Sequence, residues 1–283
     1  MELATRYVDE KLPLHWDVDD SPESFQLLLN HICSATNFKT FFEKEIAHPD
    51  LFCPLPEGMI IADIGAGIGW TSALLALKPE VKKVYAVEPS KSRLSRIPYV
   101  AKHFGVPKDK IICVDGSFNN LKLPEKIHLA CLSSSFHHCW DKDMPILLNN
   151  LKQALCRETI YKYKDYLDRE KNMVYNSKIL IASEHYVSFM WTVKKLIAYF
   201  VKGRFINNSD DPKNNFGNWR EPDQFSSDHW RTKKEIQNFI QKAGYNMEIF
   251  LHEEDQCKDK KWDWLDRAIW KYYFAILEPM KNL

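Results

Sequence analysis

The stretch Asp63-Ile-Gly-Ala-Gly-Ile-Gly69 lies directly behind the apolar run Met59-Ile-Ile-Ala-Asp63, and it decides how the rest of the chain is read. The run has the length of a strand. Three of the nine glycines fall at 65, 67 and 69, and Trp70 to Leu77 then follows at helical spacing. Glycine reaches positive φ and lets a ligand approach the backbone where the next helix begins. Such a turn serves dinucleotides and nucleosides alike. The dinucleotide pattern G-x-G-x-x-G would need its third glycine at position 70, which is Trp70. Asp63 stands two residues before the first glycine, where its carboxylate suits an ammonium- or amide-bearing ligand and repels a pyrophosphate.

Outward from this turn, strand and helix patterns alternate. Lys83–Val87, Lys110–Val114, His128–Leu132 and Lys178–Ala182 read as strands. Ser90 opens a helix through about His103, and Pro145 to Leu155 is another. Near the end of the chain, Thr232-Lys-Lys-Glu235 is a capping box for a helix closed by Gly244. Asn246–His252 and Ala268–Leu277 read as an antiparallel pair. The expected fold is α/β: a doubly wound, Rossmann-like, mostly parallel seven-stranded sheet with a C-terminal antiparallel strand pair and helical cap segments. Right-handed crossovers place the strand-to-helix loops along one sheet edge.

The turn cluster Pro54-Leu-Pro-Glu-Gly58 divides an N-terminal helical cap segment, 1–57, from a main domain, 58–283, with a lid or cap insertion at about 186–230. Within the main domain, the highly charged Arg157 to Asn176 reads as a solvated helix. Tyr186 to Gly203 reads as a wide amphipathic helix with Ser188, Thr192, Lys195, Tyr199 and Lys202 on its polar stripe. Asn207 to Ser227 reads as a loop or lid.

Lys+Arg at 39 against Asp+Glu at 38 leaves a formal charge of +1, which argues for a small or neutral partner and against duplex nucleic acid. Cys33, Cys53, Cys113, Cys131, Cys139, Cys156 and Cys257 form no CxxC pair, the pattern of a reduced, cytoplasmic protein without structural zinc. Cys113 and Cys131 are expected to be buried in strands. No secretory signal is visible at the N-terminus. Lys194, Lys195 and Lys202 interrupt the most apolar stretch, so no transmembrane segment is expected. The same lysines leave peripheral membrane contact open. Nothing in the sequence speaks to oligomeric state.

The chain resembles the class I S-adenosylmethionine-dependent methyltransferase family over roughly residues 59 to 185. The match rests on Asp63-Ile-Gly-Ala-Gly-Ile-Gly69, on Val84-Tyr-Ala-Val-Glu88, on Cys113-Val-Asp115-Gly-Ser117 and on Leu132-Ser-Ser-Ser-Phe-His-His138. The resemblance implies S-adenosyl-L-methionine as cofactor, with Glu88 on the ribose hydroxyls, Asp115 near the adenine amino group and the Leu132–His138 segment along the methyl-transfer site. It implies a cofactor-binding set of Asp63, Gly65, Ala66, Gly67, Gly69, Glu88, Pro89, Asp115, Gly116, Ser117 and Ser133. Glu88 and Asp115 also have plainer readings, as a solvated strand end and as part of an Asp-Gly turn. The family's Pro-Gly-Gly turn before the fifth strand is absent. So is the Asn/Asp-Pro-Pro-Tyr/Phe pattern of amino-methylating nucleic-acid enzymes.

An acceptor that carries a proton needs a base, and imidazole suits a hydroxyl or an ammonium. The candidates are His138, His185, His137 and His229, each with a structural alternative. Glu184 and His185 are neighbours, and adjacent side chains often point apart. No metal is expected, because Asp143 reads as the cap of the helix near Pro145. Trp140, Trp191, Trp219, Trp230 and Tyr186 flank the expected site and suit a flat or sugar-like acceptor. The Ser-Phe-His-His and Glu-His-Tyr segments look loosely similar to methyltransferases of glycan and secondary-metabolite pathways. The expected function is methyl transfer to an O or N atom of a small molecule. Two alternatives stand beside it: a non-catalytic or lipid-associated protein of the same fold, and another S-adenosyl-cofactor transferase such as an aminopropyltransferase.

Overall fold

A computed structural model describes residues 12–52, 57–156, 158–164, 169–188, 231–252 and 270–280. Helix α1 (Pro22–Leu29), a π-helical turn (Asn30–Ala35), α2 (Phe38–Glu45) and the short α3 (Pro49–Phe52) precede the first strand. Then come β1 (Met59–Ile64), α4 (Trp70–Ala76), β2 (Val81–Glu88), α5 (Lys91–Leu94), α6 (Ile97–His103) and β3 (Ile111–Asp115). β4 (Leu129–Ser133) leads through a 3-10 turn (Phe136–His138) into α7 (Met144–Ala154). β5 (Glu158–Lys164), β6 (Glu170–Asn176), β7 (Lys178–Val187), α8 (Lys233–Lys242), β8 (Tyr245–Leu251) and β9 (Trp270–Pro279) complete the described elements.

Seven strands form one sheet in the order β3-β2-β1-β4-β7-β9-β8. The pairs among β3, β2, β1, β4 and β7 are parallel, while β9 runs antiparallel to both β7 and β8. This is the doubly wound sheet expected, with the antiparallel pair at its far edge. The chain moves outward from β1 through β2 to β3, then returns to the other side of β1 with β4. That reversal opens a crevice at the carboxyl ends of β1 and β4, where ligands of such sheets bind.

Central strands buried on both faces need unbroken apolar runs, and every residue of β1 and β4 is buried. Alternate side chains serve opposite cores. Ile60, Ala62, Ala130, Leu132, Ile179 and Ile181 face α7 and α8 through Leu147, Leu151, Ile236 and Ile240. Met59, Ile61, Leu129, Cys131, Leu180 and Ala182 face the N-terminal helices and α4 through Leu28, Ile32, Phe42 and Leu75. The N-terminal segment thus shares a core with the sheet. The capping box forms as read: Glu235 N donates to Thr232 Oγ1 at 3.3 Å, and Thr232 N to Glu235 Oε2 at 2.9 Å.

Three expectations are corrected. The segment read as a solvated helix, 157–176, is strand where it is described: β5 and β6 pair antiparallel in a two-stranded sheet of their own. Ile160, Tyr161, Val174 and Tyr175 supply the β-branched and aromatic surface that strands favour, and this outweighs the charge density read as helical. Tyr186 and Val187 belong to β7, so the amphipathic helix cannot begin at Tyr186; 189–203 and the expected lid at 207–227 lie outside the described residues. Cys113 is exposed because β3 is an edge strand, whereas Cys131 on central β4 is fully buried. No helix among the described residues is long and apolar enough to cross a membrane.

Burial pushes the Cys139 thiol up to about 12 and raises that of Cys131 well above its ordinary range. A thiolate is the reactive form, so both are masked by burial and protonation together. Alkylation of the native protein, mapped by peptide mass, is expected to modify Cys113 well before Cys131 and Cys139, which react only on unfolding. Equal rates at all three would contradict the sheet order.

Candidate active site

The turn after β1 is fixed by the end of β2. Gly65 N and Ala66 N both donate to the Val87 carbonyl, at 2.8 and 3.0 Å. Gly67 N donates to Glu88 Oε2 at 2.8 Å, and Ser90 N donates to Glu88 Oε1 at 2.9 Å. Gly65, Gly67 and Gly69 all have positive φ. Gly65 is additionally crowded, since a Cβ there would stand 2.7 Å from Ser135 Cβ; one on Gly67 would meet nothing within 4 Å.

Around this turn lies a cavity of about 290 Å³, near the lower end of the range for small-molecule sites. Its walls come from the carboxyl ends of four strands: Ile64–Ile68 after β1, Glu88 and Pro89 after β2, Gly116–Asn119 after β3, and Ser133–Ser135 after β4. His138, Trp140 and Asp143 extend the last wall; Trp16 and Phe38 close over from the N-terminal segment.

Most of the sequence-predicted cofactor residues meet here: Gly65, Ala66, Gly67, Glu88, Pro89, Gly116, Ser117 and Ser133 line the cavity. Asp63, Gly69 and Asp115 do not. The Asp63 carboxylate is fully buried and turns into the N-terminus of α4, where Thr71 Oγ1 and Ser72 Oγ donate to its Oδ2 at 2.6 Å each. Burial raises its pKa, and the hydroxyl bonds from Ser72 and Thr71 oppose the rise. Asp63 therefore orients Thr71, which does line the cavity, from one layer behind. Gly69 packs on Ile97, and Asp115 is an exposed residue at the edge of the sheet.

The histidines divide. His138 is on the cavity wall. Behind it, the His137 ring lies 4.0 Å from that of His138 and 5.0 Å from that of His185. His137 Nδ1 is 2.9 Å from Glu184 Oε2, and Phe136 N donates to Glu184 Oε1 at 2.8 Å. Burial pushes the Glu184 carboxyl up, but His137, His185 and His138 around it more than offset this and hold it below the ordinary carboxylate range. His229 lies outside the described residues, as do Trp191, Trp219 and Trp230.

A bulge brings Glu184 and His185 to this place. Pairing of β7 with β9 slips between Ile181 and Glu184, and Ser183 takes φ +50°. A bulge re-aims the side chains that follow it. Glu45 of α2 clamps the bulge, accepting from Ser183 N at 2.9 Å and from Ser183 Oγ at 3.0 Å, while His252 Nε2 lies 2.6 Å from Glu45 Oε1. Burial raises the Glu45 pKa, against the bonds from His252 and Ser183. Ser134 Oγ donates to the Ser183 carbonyl at 2.9 Å, tying the β4 exit to the same bulge.

Other residues that line the cavity were not assigned to it in the sequence reading. Trp16 and Phe38 carry no local signal, because only the packing of the N-terminal helices brings them in. Asp143 holds the N-cap position of α7 but makes no side-chain cap bond, and it lines the cavity instead. Asp141, the other carboxylate of that loop, pairs with Arg231 at 2.8 Å.

The donor set fits a nucleoside-bearing cation. Glu88 is buried at the wall, and a carboxylate accepts hydrogen bonds as a diol requires. Ser133 Oγ is buried there with no hydrogen-bond partner among the described residues. The space in front of Gly67 is open to a ligand that a side chain would displace.

Fold and site together define a Rossmann-like α/β architecture with a cavity at the carboxyl edge of its sheet. Residues 61–158 match a family described as a methyltransferase domain. A search of curated proteins by sequence finds no match. Among solved structures, the chain is similar to magnesium protoporphyrin IX methyltransferase from Synechocystis with bound S-adenosylhomocysteine, at 12% identity over 97% of this chain and 93% of that one, TM-score 0.52. It is similar to a methyltransferase from Thiobacillus denitrificans in complex with S-adenosylhomocysteine, at 12% identity over 90% and 98%, TM-score 0.52. A Haemonchus contortus phosphoethanolamine N-methyltransferase aligns at 13% identity over 84% of this chain and 53% of that one, TM-score 0.52. At such identities the likeness is one of fold. Residues 61–158 thus match a methyltransferase domain, and the likeness beyond them is one of fold.

The glycines separate fold from site. Gly65→Ala must displace Ser135 and is expected to destabilise the protein clearly. Gly67→Val meets open space and bears mainly the left-handed backbone strain, about 1–2 kcal/mol, a fall in melting temperature of a few degrees for a chain of this size. Thermal melts of both variants check the order; a Gly67→Val protein less stable than Gly65→Ala would refute it.

Proposed function

We propose that this protein is an S-adenosylmethionine-dependent methyltransferase acting on an O or N atom of a small-molecule acceptor. The observation that carries the proposal is the joining of the Gly65–Gly69 turn to the buried Glu88 carboxylate at one end of a cavity whose other wall holds His138. When bound, S-adenosylmethionine supplies an electrophilic methyl group on a sulfonium, which leaves as the neutral thioether of S-adenosylhomocysteine once the methyl is transferred.

The chain's own residues supply the rest. Glu88 accepts from the ribose hydroxyls, Gly67 gives the backbone room for the ligand, and Gly116, Ser117 and Phe118 form the wall toward the base. Asp63 and Asp115 are withdrawn from direct contact in this reading, and Thr71 takes the place next to the cavity that Asp63 was expected to fill. His138 takes the acceptor's proton as the acceptor's lone pair forms its new bond to carbon. His137 backs the His138 ring and is held in turn by Glu184. Trp16, Phe38, Trp140 and Phe118 give an aromatic enclosure that suits a flat or sugar-like acceptor. Residues 12–52 act as a cap that completes the acceptor side. A small-molecule acceptor is in line with a net charge of +1, which gives no footprint for a nucleic-acid partner.

Calorimetric titration tests the cofactor. S-Adenosylmethionine and S-adenosylhomocysteine are expected to bind the wild type, NAD is not, and Gly67→Val is expected to lose both sulfur ligands while remaining folded. Binding of NAD alone, or undiminished affinity in folded Gly67→Val, would overturn the reading. In acceptor screens by product mass, His138→Gln is expected to keep cofactor affinity and lose about 10²–10⁴ in methyl-transfer rate, the usual contribution of a positioned base. Full activity in that variant would remove His138 from the chemistry.

A further inference from the structure

The exit of β4 and the bulged end of β7 bring three metal-capable side chains together. His137, Glu184 and His185 each offer one ligand atom, and these atoms lie within 4.8 Å of one another. We propose that His137, Glu184 and His185 hold a divalent transition-metal ion beside the cavity. No metal was expected from the sequence, where His137 stands 47 positions before Glu184.

The donor chemistry is specific. Two imidazoles and one carboxylate form a set that binds zinc, manganese, iron or cobalt and leaves coordination positions open for water or substrate. Two donors each about 2.1 Å from one ion and at right angles to each other stand about 3 Å apart, and His137 Nδ1 and Glu184 Oε2 stand at 2.9 Å. The imidazoles would have to rotate to close the remaining spread, up to 4.8 Å. The second Glu184 oxygen is held by the Phe136 backbone N–H at 2.8 Å, the kind of outer bond that fixes a ligand's orientation.

The setting also fits. Glu184 is 1% and His137 13% exposed, so the donors are pre-assembled inside the protein. A hydrogen-bonded His137–Glu184 pair accounts for two of the side chains. The convergence of His185, the next residue on the strand, is what a third ligand requires, and alternation in a regular strand would send it to the opposite face. The ring of cavity-lining His138 lies 4.0 Å from His137, so the ion adjoins the β4 side of the cavity, away from Glu88. An open position that reached the cavity would hold an oxygen donor of the acceptor and would acidify a bound hydroxyl. This last step rests on the methyltransferase reading; the ion site does not.

The purified full chain is stripped with a chelator, loaded with Co²⁺ or Zn²⁺, freed of excess metal by gel filtration, and assayed for metal content and for visible Co²⁺ d–d absorption. A single equivalent of metal is expected. His185→Ala and His137→Ala are expected to lower affinity by at least about tenfold, with S-adenosylhomocysteine binding retained as the check on folding. A wild-type protein that binds S-adenosylhomocysteine yet retains no metal overturns the proposal. So do variants that hold Co²⁺ as tightly as wild type, because the cluster is then a hydrogen-bonded pair with a neighbour. If metal binds and is lost in the variants while S-adenosylhomocysteine never binds, the ion site stands and the cofactor reading falls.

Discussion

Gly65 and Ala66 share the Val87 carbonyl, and Gly67 donates to the Glu88 carboxylate, so the last two residues of β2 hold the turn that follows β1. The parallel pairing of Ile64 with Val87 sets this up, since it places the end of one strand beside the start of the other's loop. A buried carboxylate is costly unless it is hydrogen-bonded. Backbone donors from both sides meet that demand at Glu88, which becomes at once a structural anchor for the turn and a polar group on the cavity wall. The placement of the cavity follows from this join, because the turn can only open toward the carboxyl edge of the sheet.

A second buried carboxylate plays the matching part on the other side of the crevice. Glu45 comes from the N-terminal helices, yet its bonds to Ser183 stabilise a left-handed residue within β7. Non-glycine residues tolerate such a conformation only where their surroundings over-determine it. The effect is to turn the end of β7 toward the β4 exit, so that Glu184 receives the Phe136 N–H and meets His137. The N-terminal segment thus shapes the histidine cluster as well as covering the cavity with Trp16 and Phe38. A cap with those two jobs is bound into the sheet through one apolar core.

Legibility varied with the range of the interaction. The strands were readable because continuous apolar runs have few other fates, and the helix at Thr232 because its capping box is local. The strands Glu158–Lys164 and Glu170–Asn176 were misread because charge density is a statement about solvent, while β-branched and aromatic Ile160, Tyr161, Val174 and Tyr175 were the better guide. Asp63 shows the same limit within the motif. The hydroxyls of Thr71 and Ser72 on the next helix turn hold its Oδ2 one layer behind the cavity wall. Cys113 went wrong for a topological reason: its strand is apolar, and only the strand order makes it an edge.

By itself, then, the sequence determined what short-range chemistry can encode: the strand–turn–helix unit around Gly65–Gly69, the alternation that builds a doubly wound sheet, and the acid at the end of β2. These depend on periodicity, glycine φ and residue type over a few positions. Tertiary structure alone decided which groups face the cavity and which stand behind it. His138 lines the wall while His137 turns to Glu184, and Glu184 and His185 converge although neighbours on a strand ordinarily diverge. That choice rests on a bulge clamped by a residue 138 positions away in the chain, and no local pattern records a contact of that range.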